Sequence, residues 1–352
     1  SLLGNSSANV IVGSSGADLI VGGGGKDVLV GGEGADTVLS SLAQLQGANA
    51  AVIYGGTATY TASTTTWAAV ADAAVDTLQL QGDAGTLSTS DWSKLNGIDV
   101  VKVLGSGDFT LNGNPNASSV LQGGTGNDVL ISGSNVTTMT GGGGTNTFQF
   151  LSLNTTGAVT NTFAALSNQA TSAFDAITDL TVGDRIVLPL GLTWQGVKGA
   201  SFGADAVVGS AWFDATTQSL NFRASDGFHR ILLPASSTNL SWTASSIANG
   251  LKLTVLPAAP ESPSLASASD SGFASNDGIT NAVNPSFNVS LTGSGAVANN
   301  QIRLYADNQM VAVKVLTSSD IAAGQVSLTV GDKVTGLTLD ATSLSQGQPV
   351  IS

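Results

Sequence analysis

A nine-residue period governs the start of this chain and returns in its middle. Residues 4–39 divide without remainder into GNSSANVIV, GSSGADLIV, GGGGKDVLV and GGEGADTVL. Position six holds Asn9, Asp18, Asp27 and Asp36, and position eight holds Ile11, Ile20, Leu29 and Val38. A second block at 123–149 keeps the register as GGTGNDVLI, a decayed SGSNVTTMT and GGGGTNTFQ. There position six is Asp128, Thr137 and Asn146, and position eight is Leu130, Met139 and Phe148. Nine residues cannot bury an apolar face alone, so each unit must stack on its neighbours.

The pattern GGxGxDxUx dictates how they stack. Six residues rich in glycine make a tight turn through backbone angles closed to other residues. The last three form a short strand whose central aliphatic side chain points inward. Two nonapeptides complete one coil, which places Asp18 over Asp36 and Asn9 over Asp27 at strand spacing, about 4.8 Å. Two carboxylates so placed repel by about 3–4 kcal/mol at an effective dielectric near 20. One small aliphatic residue per nine does not easily offset that. Calcium reverses the sign, because it takes six to eight hard oxygen ligands and such turns supply carboxylates and carbonyls. The repeats are therefore expected to bind Ca2+ at several sites and to be disordered without it. A flexible Gly/Asp linker would not keep an aliphatic residue at every eighth position.

The rest of the sequence narrows the field. Asp and Glu number 24 against 11 Lys and Arg, so the basic footprint that nucleic acid requires is missing. There is no cysteine, hence no disulfide scaffold or thiolate metal site. No apolar run is long enough for a membrane helix. The start, without Met or signal segment, and the end at 348–352, inside an expected strand, read as cuts from a longer polypeptide. Gly22–Lys26 is no phosphate loop, since Ile20 and Asp27 stand where Gly and Ser/Thr belong. His229 is the one histidine, with Asp226 beside it, and neither G-x-S-x-G nor H-E-x-x-H accompanies it. No enzyme is expected. Trp67, Trp92, Trp194, Trp212 and Trp242 are expected as core or capping residues rather than as the lining of a sugar groove.

Between the blocks the chain reads as β-rich and irregular, with strands at 76–80 and 98–104, a helix at 66–75 and a further helical turn within 88–95. Strands follow at 174–180, 185–190, 211–214, 220–222 and 230–233, with a hairpin turn at Asp226-Gly227. The proline-rich stretch around 259–266 reads as a semi-rigid linker. Strands at 286–291, 301–305, 311–316 and 325–330 then suggest an immunoglobulin-like β-sandwich. The expected organisation is all-β: residues 1–258 as a calcium-stabilised parallel β-roll (solenoid) with a β-rich cap, then a truncated immunoglobulin-like domain at 267–352.

The two blocks resemble the repeats-in-toxin (RTX) family, whose fold is a calcium-stabilised parallel β-roll. In that family the position-six Asp and the carbonyls at positions two and four hold the metal. The resemblance implicates Asn9 in the first repeat and then Ser14, Gly16 and Asp18. Gly23, Gly25 and Asp27 follow, then Gly32, Gly34 and Asp36. The second block adds Gly124, Gly126 and Asp128, with Gly142, Gly144 and Asn146. Sites using Asn are expected to be weaker, and one needing Thr137 to be absent. Residues 92–112 resemble a segment between RTX blocks of large bacterial adhesins, and 174–188 resemble the motif following the β-roll in serralysin-type proteins, which nominates Asp175 and Asp179 for the last site. Residues 267–352 resemble immunoglobulin-like repeats of giant surface adhesins, with Asp270 and Asp277 as candidates for an interdomain calcium. The resemblance implies a non-enzymatic, type I-secreted adhesin segment at the surface of a Gram-negative bacterium. Its partners would be calcium, neighbouring repeats of the longer chain, and a host or surface polysaccharide or protein. A surface-layer or filament subunit, and the RTX region of a secreted toxin or protease, are the alternatives.

Overall fold

The strand at the end of each nonapeptide forms where the aliphatic pattern requires it. The computed structural model describes residues 1–64, 66–70, 72–150, 174–199, 202–239, 241–256, 263–271, 280–292, 294, 296–306 and 309–331. Within the first block, Val10–Val12, Leu19–Val21, Val28–Val30 and Thr37–Ser40 are strands. They alternate between two faces of a parallel roll. Val10–Val12 pairs with Val28–Val30, and Leu19–Val21 pairs with Thr37–Ser40.

The two blocks belong to one continuous roll, and this corrects the expectation of irregular structure between them. Thr37–Ser40 continues in parallel to Thr77–Gln81, then Val100–Leu104, Ser119–Gln122, Thr137–Thr140 and Asp175–Ile177, within one 12-stranded sheet. Position-eight side chains meet in register along it, as Ile20, Val38, Leu78, Val101, Leu121, Met139 and Ile177, all of them buried. The opposite face carries Ile11, Leu29, Ile53 and Leu95 in one sheet, and Leu87, Leu111, Leu130, Phe148 and Ile186 in another. Each coil adds one aliphatic or aromatic side chain from each face to a core that no single coil could form.

The period is hidden because the coils differ in length. Partners across one coil are 18 residues apart at Asp18/Asp36, 40 at Asp36/Asp76 and 23 at Asp76/Asp99. Two insertions account for much of this. One is a helical turn, Leu42–Leu45, whose Leu42 and Leu45 are buried. The other is a hairpin of Thr57–Thr61 and Thr66–Val70, antiparallel, with Tyr60 opposite Trp67 and their rings 5.2 Å apart. This hairpin replaces the helix expected at 66–75. An alanine-rich run has high helix propensity, but cross-strand aromatic and Thr pairing prevails here over a weak local preference. The helical turn expected near 88–95 is present as a 3-10 helix, Asp91–Lys94.

The cap follows. Gly227–Leu232 adds in parallel to Asp175–Ile177, and Ser219–Ala224 and Ser210–Asp214 continue antiparallel. Phe174, Ala206, Trp212 and Phe228 form its core. Trp92 and Trp212 are buried, Trp67 packs at a tilt between Tyr54 and Tyr60, and Trp194 and Trp242 are partly exposed. On the other face Gly250–Leu256 pairs antiparallel with Arg185–Leu188, ending the parallel run.

The chain divides into two compact units, Ser1–Thr238 with Ala244–Thr254, and Asn239–Thr243 with Val255–Ser352. In the second unit, Ser264–Leu265, Ser286–Ser290 and Gln325–Thr329 form one antiparallel sheet, and Gln301–Ala306 with Gln309–Val315 a second. A short helix, Ser318–Ala323, capped by Thr317 and closed by Gly324 at φ 64°, was not foreseen. Val289, Leu291, Ile302, Ala312, Leu316, Val326 and Leu328 make its core. The first half of the proposed linker, 259–262, Asp277 and the strand expected at 348–352 lie outside the described residues.

Candidate metal centre

Position six does more than terminate a turn. Its side chain reaches back one coil and accepts the backbone N–H of its counterpart there. Asn9 N–H donates to Asp27 Oδ1 at 2.8 Å and Asp18 N–H to Asp36 Oδ1 at 2.7 Å. The same bond joins Asp36 N–H to Asp76 Oδ1 at 2.8 Å and Asp76 N–H to Asp99 Oδ2 at 3.0 Å. In the second block it joins Phe109 to Asp128, Asp128 to Asn146, Thr137 to Asp175 and Asn146 to Asp184. The stacking expected of Asp18 on Asp36 and of Asn9 on Asp27 is therefore present. It extends to Asp76, Asp99 and Asp184, which the sequence reading passed over.

The second oxygen of each side chain separates the turns into kinds. Asp18 Oδ2 accepts Ser14 N–H and Oγ–H, both at 2.8 Å, and these bonds hold its carboxyl below the usual range. Asp128 Oδ2 accepts Gly124 N–H at 2.8 Å. Asp36 Oδ2 and Asp76 Oδ2 are buried with no hydrogen-bond partner. Burial raises the Asp36 carboxyl, and burial pushes Asp76 up to about 6, the charges of Asp72, Asp36 and Asp99 adding to the effect. A buried, unpaired carboxylate oxygen beside other carboxylates is costly unless a cation satisfies it.

Carbonyls stack above one another in the same turns. Gly32 lies against the Ser14 carbonyl with no room for a Cβ, and Gly34 lies against Gly16. Gly142 and Gly144 lie in the same way against the carbonyls of Gly124 and Gly126, and Gly23 and Gly25 against Asn5 and Ser7. Gly32 and Gly34 have φ of 111° and 100°, angles that turn successive peptide groups as a side-chain-bearing residue could not do without strain. The oxygens offered to a cation are thus hard carboxylate and carbonyl donors, as calcium prefers. Among the described residues no three His, Cys, Asp or Glu side chains are placed to hold a metal ion by themselves, so such a cation must draw on main-chain oxygen.

The last turns are built differently. Asp175 accepts Thr137 N–H and Ser132 Oγ–H, and burial pushes it up to about 6. Asp179 spends both oxygens on the N–H groups of Gly141 and Gly142, at 2.6 and 2.8 Å. Asn146, at position six of that repeat, turns its amide nitrogen to the Gly143 carbonyl instead. Asp179 therefore supplies from outside the repeat the carboxylate that Asn146 lacks. Asp184 accepts Asn146 and Thr181 N–H, and burial raises its carboxyl. Thr137 Oγ1 accepts Gly133 N–H at 3.1 Å, a purely local closure.

The remaining candidates belong to other elements of the chain. His229 is buried, stacked on Phe222 at 4.6 Å, with Nε2 2.9 Å from Asp226 Oδ1 on the same hairpin. Asp270 belongs to the second compact unit.

A parallel roll whose turns carry stacked carboxylates and carbonyls is a calcium-binding repeat architecture. The family model described as the RTX calcium-binding nonapeptide repeat (4 copies) matches residues 3–38 and 117–148. The two blocks are RTX repeats forming a calcium-binding β-roll, and they bind several calcium ions. RTX repeats occur in secreted proteins, and among the described residues no helix is long and apolar enough to cross a membrane. No curated protein matches the chain.

Proposed function

We propose that the chain is a non-enzymatic segment of a large, type I-secreted surface adhesin that folds on calcium outside the cell. The observation that carries this is the stack of position-six side chains in the nonapeptide blocks, Asn9 on Asp27, Asp18 on Asp36 and Asp128 on Asn146, with the glycine turns of successive coils packed against one another's carbonyls. In this reading the ions are held by the position-six side chains and the stacked carbonyls of Ser14, Gly16 and the paired glycines. Scarce cytosolic calcium leaves the chain unfolded for export, and abundant extracellular calcium folds it by mass action. A cysteine-free sequence suits that route. The second unit serves as an immunoglobulin-like spacer. His229 buried on Phe222 supports a structural rather than a catalytic role.

Circular dichroism during a calcium titration tests the folding reading. Much of the β signal should appear with calcium and be lost in excess chelator, and a chain equally folded in chelator contradicts it. A surface-layer or filament subunit is the second reading. It draws on the first coil, where Leu3, Val10 and Val12 are 79%, 62% and 54% exposed and a further coil would continue the sheets. Neighbouring repeats of one long chain would supply that coil in an adhesin, and another subunit would supply it in a filament. Electron microscopy after calcium addition separates them, since ordered sheets or fibres favour the filament.

A further inference from the structure

The family match ends at residue 38 and resumes at 117, yet the row of turns does not stop between them. In ordinary repeats, position one lies where a Cβ would strike two groups. These are the carbonyl of position one in the next coil and the position-six side chain of its own repeat. Gly13 meets the Gly31 carbonyl and Asp18, and Gly123 meets the Gly141 carbonyl and Asp128. Gly31 meets the Gly55 carbonyl and Asp36, and Gly55 in turn meets the Gly97 carbonyl and Asp76. Gly55 and Asp76 therefore hold positions one and six of a nonapeptide that the Thr57–Val70 hairpin interrupts.

We propose that this interrupted turn is a further calcium site, formed by Asp36 and Asp76 with the main-chain oxygens of Gly55 and Gly97. Two observations point to a ligand rather than to mere acidity. Asp36 and Asp76 are each 1% exposed, and the Oδ2 atom of each has no hydrogen-bond partner. Their Oδ1 atoms are already committed to Asp18 N–H and Asp36 N–H, so local hydrogen bonding does not use the remaining pair. The equivalent oxygens of Asp18 and Asp128 are closed by amides of their own turns, which distinguishes this place from the neighbouring ones. The donors are carboxylate and carbonyl oxygens, suited to the flexible shell of calcium rather than to the strict octahedron of magnesium.

The site also has a mechanical consequence. Gly56 packs against the Val70 carbonyl and Asp72, where the hairpin leaves and rejoins the roll. The ion holds the two strands at the hairpin's base and so fixes how its uncharged, Thr- and aromatic-rich tip is presented. This inference rests on calcium filling the nonapeptide blocks, and the experiment keeps the two claims apart.

Bound calcium per full-length chain is measured by flow dialysis at saturation for the native chain, Asp76→Asn and the exposed-site control Asp83→Asn. We expect one ion fewer in Asp76→Asn and no change in the control, with the β circular dichroism retained. An unchanged count in Asp76→Asn overturns the site while leaving the blocks intact; no calcium on the native chain overturns both. Should Asp76→Asn fail to fold, terbium replacing calcium decides. Emission sensitised through Trp67, whose ring lies 6.4 Å from that of Tyr54 next to Gly55, should fall in Trp67→Leu at an unchanged ion count, and undiminished emission overturns the site.

Discussion

The row of turns that begins at Asp18 changes character halfway along. Its first four rungs are Asp18, Asp36, Asp76 and Asp99, and the next two are Ser119 and Thr137. The apolar residues behind both stretches are equivalent, with Leu78 and Met139 alike fully buried in one continuous ladder. The rungs are closed in different ways. Ser119 and Thr137 hydroxyls each accept one local amide, from Asn114 and Gly133. Being shorter, they do not accept the N–H of the preceding coil as the carboxylates do; Ser119 N–H itself goes to the Val136 carbonyl. Hydroxyl rungs carry no charge and close on themselves. Carboxylate rungs link coil to coil but accumulate charge and leave oxygens over, so that their stability is tied to a cation. One architecture thus contains a metal-dependent and a self-sufficient version of the same turn.

The largest single-residue effects should not distinguish the two stretches. Leu78→Ala and Met139→Ala should each cost about 2–5 kcal/mol in calcium-saturated urea unfolding. A loss confined to one of them would mean that the stretches do not share a core. Calcium dependence is where they should part. Asp36→Asn should raise the calcium midpoint of folding and, at calcium a hundredfold above the dissociation constant, remove about 2.7 kcal/mol if one ion is lost. Thr137→Val should leave that midpoint unchanged and cost about 1–3 kcal/mol, through the Gly133 amide left without its acceptor.

Smaller contrasts sharpen the view of the turns. Gly31→Ala places a methyl against the Gly55 carbonyl and the Asp36 carboxylate, and about 1–3 kcal/mol should be lost. Gly16→Ala meets nothing within 4 Å and should stay within about 0.5 kcal/mol of the native chain by the same urea measurement. The smallest expected effect belongs to the second compact unit. Asp320 is depressed to about 2 by hydrogen bonds from the Thr317 hydroxyl and amide, with Lys314 adding to them. A carboxyl whose pKa falls on folding stabilises above its unfolded value, and that contribution fades as pH falls towards 2. Carboxyl NMR titration should show Asp320 ionised well below an ordinary aspartate, while Asp320→Asn removes the dependence.

Much of the roll was legible because position eight is aliphatic in nearly every nonapeptide and position six is acidic in most. Asp175 was legible through its place in a following motif. Asp76, Asp99 and Asp184 were hidden for a physical reason: parallel pairing fixes register in space and tolerates coils of unequal length, whereas a nine-residue count does not. The signal existed in part, since Gly55-Gly56 opens a turn and Asp76-Thr77-Leu78 closes one as Asp36-Thr37-Val38 does. The hairpin was misread because TWAAVADAAV carries helix-forming alanines, while its strand character depends on Tyr60 standing opposite Trp67. Asp179 shows the reverse case, a residue legible in sequence whose observed contacts are both to backbone amides.

Amide hydrogen exchange of the full chain, with calcium and with excess chelator, reads out whether the acidic turns depend on the metal. With calcium, the amides of Ile20, Leu29, Val38 and Leu78 should be protected like those of Leu121 and Met139. In chelator, protection should collapse first and furthest in the acidic stretch and return when calcium is restored. Protection of Ile20, Val38 and Leu78 that survives chelator unchanged would mean that the acidic turns stand without calcium.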